Sequence, residues 1–116
     1  RRVARMSCCG CSQDDWAAVE ELAARHPATV APCFGLHPWW RPTSSDWCNQ
    51  LEEVLSRHPG APVGEIGLDS TPRALAQSGQ SIREQEETFL AQLRLAKRLS
   101  RPAVIHCVRS HGRLLE

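Results

Sequence analysis

The sequence predicts an α/β fold in which about four parallel strands alternate with three helices. Three observations predict it. Short apolar segments alternate with longer stretches whose apolar residues recur at helical spacing, the pattern of βαβ units around a buried parallel sheet. A weak internal repeat marks the junctions: Arg25-His26-Pro27-Ala28-Thr29-Val30 resembles Arg57-His58-Pro59-Gly60-Ala61-Pro62-Val63, and Arg101-Pro102-Ala103-Val104 is a shorter version. Each strand-like segment that follows one of these prolines carries an ionisable residue at or near its end.

The first predicted strand is Val3 to Ser7, and the first helix carries Trp16, Val19, Leu22 and Ala23 on one stripe. Ser12 is placed to cap that helix, with Asp15 three residues later in the manner of a capping box. Pro27 stops it, and the second strand runs from Thr29 to Phe34. Trp47, Leu51, Val54 and Leu55 form the second helical stripe, with Ser44 or Ser45 as its cap and Pro59-Gly60 as its stop. The third strand, Val63 to Leu68, leads into a Ser-, Pro-, Gly- and Gln-rich stretch from Asp69 to Gln80 that reads as a long loop. Ile82, Phe89, Leu93 and Ala96 form the third stripe, with Leu90 and Leu99 at its edges and Leu95 on the far side. Pro102 ends that helix, and the fourth strand spans Ala103 to Val108.

Composition narrows the function classes. With 116 residues the chain is one small domain. A net charge of +1 gives no electrostatic basis for non-specific binding to nucleic acid or to an anionic membrane. The longest apolar run falls far below the roughly 18 residues of a membrane span, and no charged-then-apolar leader is present. Six cysteines, with one C-x-x-C pair (Cys8 to Cys11) and no second pair to complete a zinc ribbon, read as small, mostly buried thiols in a reducing compartment. An intracellular, cytoplasmic setting is the expectation, with an upstream targeting segment left open. The absence of an initial Met and of a helix stop after Arg113-Leu114-Leu115-Glu116 makes both ends read as cut.

The polar residues at the strand ends carry the functional argument. They are His37 after Phe34-Gly35-Leu36, Glu65 within Val63-Gly64-Glu65-Ile66-Gly67, and His106 after Ala103-Val104-Ile105. A carboxylate among such apolar neighbours is costly to bury unless it is paired or bound to metal. Three such residues at one phase of three repeats converge on the carboxyl ends of the strands, where barrel enzymes keep their chemistry. Histidine with carboxylate suits zinc and also manganese. The bland readings are a loop-packed His37, a Glu65 paired to Arg109, and a satisfied core histidine at 106. His26 and His58 read as cations at helix C-termini. His111 is within reach of the pocket from its loop.

Gly35-Leu36-His37-Pro38, Gly64-Glu65-Ile66-Gly67-Leu68-Asp69, Gln85 through Phe89 to Gln92-Leu93, and Pro102-Ala103-Val104-Ile105-His106 resemble, in order and spacing, the TatD-related deoxyribonucleases. The match covers nearly the whole chain. It implies a partial TIM barrel of the amidohydrolase type, a single domain over residues 1–116. It implies hydrolysis of phosphate esters in DNA, with two divalent ions (zinc, magnesium or manganese) in the complete site. By the same resemblance Glu65 is the carboxylate shared by the ions and His106 a ligand of one of them. His37 is a pocket histidine that holds the substrate phosphate, and Asp69 orients ligands or loop.

The family's first strand carries a His-x-His pair, and further ligands and an aspartate that accepts the proton come later in the barrel. None of these has a counterpart here, so the 116 residues alone are expected to show little or no turnover, and exposed edge strands are expected to promote self-association. The family's His-Pro-His version has Trp39 here in place of its second histidine; Trp39-Trp40 reads equally as a platform for a base or as packing. Two other functions remain open: an amidohydrolase-type enzyme acting on a C–N bond, which upstream and downstream strands would reveal, and a non-catalytic binding module derived from the fold, which metal content would reveal.

Overall fold

Four parallel strands stand side by side in chain order, each joined to the next by at least one helix. In a computed structural model that describes residues 2–116 they are β1 (Met6–Gly10), β2 (Val30–Phe34), β3 (Val63–Asp69) and β4 (Ala103–Val108). The helices are α1 (Trp16–Arg25), α2 (Trp47–Arg57), α3 (Pro72–Ser78), α4 (Ile82–Arg98) and α5 (His111–Leu115). Among the described residues no helix is long and apolar enough to cross a membrane.

The expected strands are present, with one displacement. β1 begins three residues later than Val3, because β2 starts at Val30 and its first partner is Met6. The strand is extended instead through Cys8 and Cys9, which behave here as small apolar residues. The seam between β2 and β3 is short, with Phe34 opposite Val63 as its one register pair. Pro32 and Pro62 lack the N–H groups that a longer ladder would use.

The core lies between the strands and the helices. Trp16 and Val19 of α1, Leu51, Val54 and Leu55 of α2, and Phe89, Leu95 and Ala96 of α4 pack there with Phe34, Val63, Ile66 and Leu68. Each fully buried large apolar side chain contributes roughly 1.5–3 kcal/mol relative to an exposed one.

Three details of the helices differ from expectation. Ser12 does not cap α1; Asp15 occupies the N-cap position and turns its carboxylate back to accept from the N–H groups of Cys11 (3.1 Å) and Ser12 (3.2 Å). Neither Ser44 nor Ser45 caps α2, which starts after Asp46, while the Ser44 hydroxyl accepts from Gln13 instead. The stretch read as one long loop contains α3, capped by the Thr71 hydroxyl on the N–H of Ala74, opened by Pro72 and closed by Gly79 at φ 63°. Its apolar content is too slight for a stripe, but its end signals are complete.

In α4 the buried face is rotated from the expected one. Leu95 is buried at 2% exposure and Leu90 is exposed at 46%. The reason is that Gln85 and Gln92, two turns apart, are themselves buried and lie on the inward face. Counting them as polar shifted the stripe. Gln92 accepts from the Leu36 N–H (2.7 Å) and donates to the Leu36 carbonyl (3.1 Å). Gln85 treats Asp69 the same way, at 2.9 and 3.2 Å. Each amide thereby satisfies backbone groups at the end of a strand, where ladder partners run out.

One irregularity sets up the site. Val63 faces Ala103 and Ile66 faces Ile105, so β3 spends three steps against two on β4. The extra residue is a bulge, which re-aims the side chains around it. Val63 and Ile66 both reach the core, while Glu65, Gly67 and Asp69 share the opposite side with His106, the partner of Gly67.

Gly67 sits at φ 148°, and a Cβ there would collide with the His106 carbonyl oxygen. Gly67→Ala is therefore expected to cost on the order of 3 kcal/mol or more, through strain and separation of β3 from β4. Urea denaturation measures it; a loss below about 1 kcal/mol would show that the two strands can part cheaply.

Candidate metal centre

His37, three residues beyond β2, Glu65, in the first half of β3 and not at its carboxyl end as expected, and His106, inside β4, come together with one ligand atom from each lying within 4.8 Å of the others. All three are partly buried. With Cys11, Trp39 and Trp40 they line an open cavity of about 270 Å³. Glu65 makes no pair with Arg109; its Oε1 lies 3.3 Å from His106 Nδ1. His111 begins α5 as an exposed residue and does not line the cavity. His26 and His58 occupy the C-cap positions of α1 and α2, away from the centre, and His58 pairs with Glu20 at 2.8 Å.

Asp69 braces this arrangement from behind. It is 2% exposed. Its Oδ2 accepts from the Trp39 indole N–H (2.7 Å) and lies 3.1 Å from His106 Nε2, and its Oδ1 accepts from the Thr71 N–H (2.9 Å). Burial alone would raise the Asp69 pKa. The hydrogen bonds from Trp39, Thr71 and His106 outweigh it and hold the carboxyl well below the usual carboxylate range. In the neutral tautomer that carries its proton on Nε2 toward Asp69, His106 turns its Nδ1 lone pair to Glu65 Oε1. Two lone-pair atoms 3.3 Å apart repel unless a cation or a proton lies between them. Ligand bonds of about 2.0–2.2 Å at tetrahedral or octahedral angles put neighbouring donor atoms at roughly this separation. The carboxylate–histidine pair behind the ligand is the usual way to fix tautomer and ring orientation at a metal.

His37 is held differently. Its backbone N–H donates to the Cys11 carbonyl (2.9 Å), and its Nδ1 accepts from the Trp39 N–H (3.1 Å). Burial, then the neighbouring His106, pushes its pKa below the usual histidine value, against the pull of Glu65 and Asp69. The ring is thus neutral near neutral pH, with its proton on Nε2, and offers the cavity a hydrogen-bond donor. The Cys11 thiol is pushed up to about 11, first by burial and then by Asp15 and Glu65, so it stays protonated. Of the six cysteines only Cys33 is buried; the other five are partly exposed, contrary to the expectation of mostly buried thiols.

Trp39 and Trp40 divide the two roles left open for them. Trp39 is committed to structure through its bond to Asp69, whereas Trp40 is 44% exposed beside the cavity. The sequence reading missed three contributors: the Trp39 indole N–H, and the amides of Gln85 and Gln92. The buried phase of α4 was the available signal for the glutamines.

The model of the family described as TatD related DNase matches residues 1–116. The chain belongs to this family. Human "Deoxyribonuclease TATDN3" is 33% identical over 104 residues, covering 82% of this chain and 37% of the relative. A "3'-5' ssDNA/RNA exonuclease TatD" of Citrobacter koseri is 36% identical over 105 residues, covering 83% and 35%. The "Uncharacterized metal-dependent hydrolase YjjV" of Escherichia coli K12 is 35% identical over 104 residues, covering 87% and 38%. The crystal structure of YJJV from Escherichia coli k12 matches with a TM-score of 0.81 at 30% identity, over 96% of this chain and 42% of that one. The chain therefore spans little more than a third of the length of these curated relatives. As a TatD-family chain it has the fold of a partial TIM barrel, with four parallel strands in barrel order.

The Asp69 network yields a pH-dependent expectation. Because folding lowers the Asp69 pKa, its contribution is complete above the ordinary carboxylate range and fades as pH falls below it. Trp39→Phe removes one donor to the ionised form and is expected to cost about 1.5–3 kcal/mol at neutral pH. Urea midpoints measured against pH should show the difference between variant and parent shrinking in acid. A difference that persists unchanged would mean that Trp39 acts through packing alone.

Proposed function

We propose that this chain carries part of the metal centre of a hydrolase that cleaves phosphodiester bonds in DNA. The observation that supports this reading best is the facing pair of Glu65 Oε1 and His106 Nδ1, with Asp69 on the far side of the imidazole and His37 across the cavity. Glu65 and His106 would hold a divalent ion, Glu65 being the carboxylate able to serve a second. Divalent ions, when bound, supply Lewis-acid charge to a phosphoryl group and make a nearby water more acidic.

The side chains of this chain do the rest. Asp69 keeps the His106 proton on Nε2 and the lone pair on Nδ1. His37 presents its Nε2 proton to a phosphate oxygen. Trp39 closes the inner wall and keeps Asp69 away from water. Relatives named as deoxyribonuclease and as ssDNA/RNA exonuclease support nucleic acid as the substrate class. The C–N bond alternative fits less well, because a neutral histidine donating into the cavity suits a phosphate oxygen.

Manganese binding, followed by the electron paramagnetic resonance signal of the free ion, tests the centre. Glu65→Ala is expected to abolish binding and Asp69→Asn to weaken it about 10–100-fold, the usual scale for a residue supporting a ligand. Equal binding by Glu65→Ala and parent would sink the assignment. A phosphodiester dinucleotide should perturb the bound-manganese signal and a cyclic amide should not; the reverse result selects the C–N reading.

A further inference from the structure

A polyanion approaching this cavity meets Glu65 on its wall and Asp69 just behind, and none of the six lining residues is a lysine or an arginine. Overall charge gives little help, at +1 for the chain. An ion held by Glu65 and His106 would serve the phosphate being cleaved, so a neighbouring phosphate of the strand needs a cation of its own at the mouth.

Arg73, on the first turn of α3, supplies one. Its guanidinium carbon stands 5.1 Å from the centroid of the Trp39 ring. Trp39 walls the cavity and is fixed by its bond to Asp69, so the guanidinium has a defined place beside the site. The ring attracts the charge of the guanidinium without using its N–H donors. Among the described residues Arg73 is exposed and makes no hydrogen bond or ion pair. Arg57 is committed to Glu20, Arg98 to Glu52, Arg113 to Glu86, and Arg101 to the carbonyls of Leu55, His58 and Ala61; Arg5, Arg41, Arg94 and Arg109 are as free as Arg73 among the described residues, and what sets Arg73 apart is its place over a ring that lines the cavity.

We propose that Arg73, standing over the Trp39 ring, binds a backbone phosphate of single-stranded nucleic acid, next to the phosphodiester presented to Glu65 and His106. The planar fork matches two phosphate oxygens at once. The exposed ring of Trp40 on the same cavity favours a single strand, because a base can stack on an aromatic side chain only when it is free of a duplex. The assignment rests on the phosphodiesterase reading above and adds the residue that selects the flanking phosphate.

The test is fluorescence anisotropy of a labelled oligothymidylate of about twelve nucleotides, titrated with parent chain, Arg73→Gln and Arg73→Lys over a range of salt. Arg73→Gln is expected to weaken binding about fivefold to tenfold and to lower the slope of log affinity against log salt by about 0.7, the value for one phosphate contact on a single strand. Arg73→Lys should keep the slope and recover part of the affinity, since it keeps charge but loses the fork. Circular dichroism checks that the exposed substitutions leave the fold intact. Equal affinity and slope in parent and Arg73→Gln, or a parent that does not bind the oligonucleotide at low salt, overturns the assignment. Manganese binding separates the two readings. If Arg73→Gln binds manganese normally and DNA normally, Arg73 fails and the metal centre stands. If the parent binds no manganese while Arg73→Gln still weakens DNA binding, the metal centre fails and the phosphate contact stands.

Discussion

The burial of one ionised carboxylate, Asp69, organises this molecule. A charge removed from water is tolerable only when its oxygens are fully hydrogen-bonded. Here Oδ1 takes the Thr71 N–H, while Oδ2 takes the Trp39 indole and faces His106, and Gln85 satisfies both backbone groups of the same residue. Those partners come from the β2–α2 connection, the turn into α3, α4 and β4. Four parts of the chain are thus located by the needs of one residue. The cavity side of the sheet is where these needs are met.

The same logic explains the polar face inside α4. A helix lying over the ends of parallel strands covers backbone groups that no further strand pairs. Gln85 and Gln92 stand two turns apart on the inward face and answer those groups at Asp69 and Leu36. Leu36 immediately precedes His37, and Asp69 holds His106. The helix that closes the core therefore also fixes the height of two histidines at the cavity. Core packing and site geometry are a single set of contacts here.

Much of this was legible in the sequence. Proline junctions and apolar segments located β2, β3 and β4 within a residue, and the shared phase of His37, Glu65 and His106 anticipated their convergence. What was not legible depended on partners distant in the chain. β1 moved because its register is dictated by Val30, twenty-four residues after Met6. The face of α4 was misjudged because glutamine counts as polar until its backbone partner is known. α3 was hidden because a seven-residue helix has room for caps but little room for a periodic stripe. Ser12, Ser44 and Ser45 were all plausible caps, yet Asp15 and Asp46 stand at the helix starts, since helix position is set by packing of Trp16 and Trp47.

The segment Gly64-Glu65-Ile66-Gly67-Leu68-Asp69 shows how a motif becomes a physical necessity. A Cβ on Gly64 would stand 2.7 Å from Val104 Cβ, and one on Gly67 would strike the His106 carbonyl, so small residues let β3 lie against β4. Ile66 and Leu68 alternate into the core. The bulge around Glu65 lets Val63 join that core while the carboxylate turns to the cavity. Asp69 then ends the strand where its two oxygens can reach Trp39, Thr71 and His106. Most of these positions answer to a neighbour within the chain, and Glu65 faces the cavity beside His106. Its Oε1 lies 3.3 Å from His106 Nδ1, close to the separation of two donor atoms that share one cation.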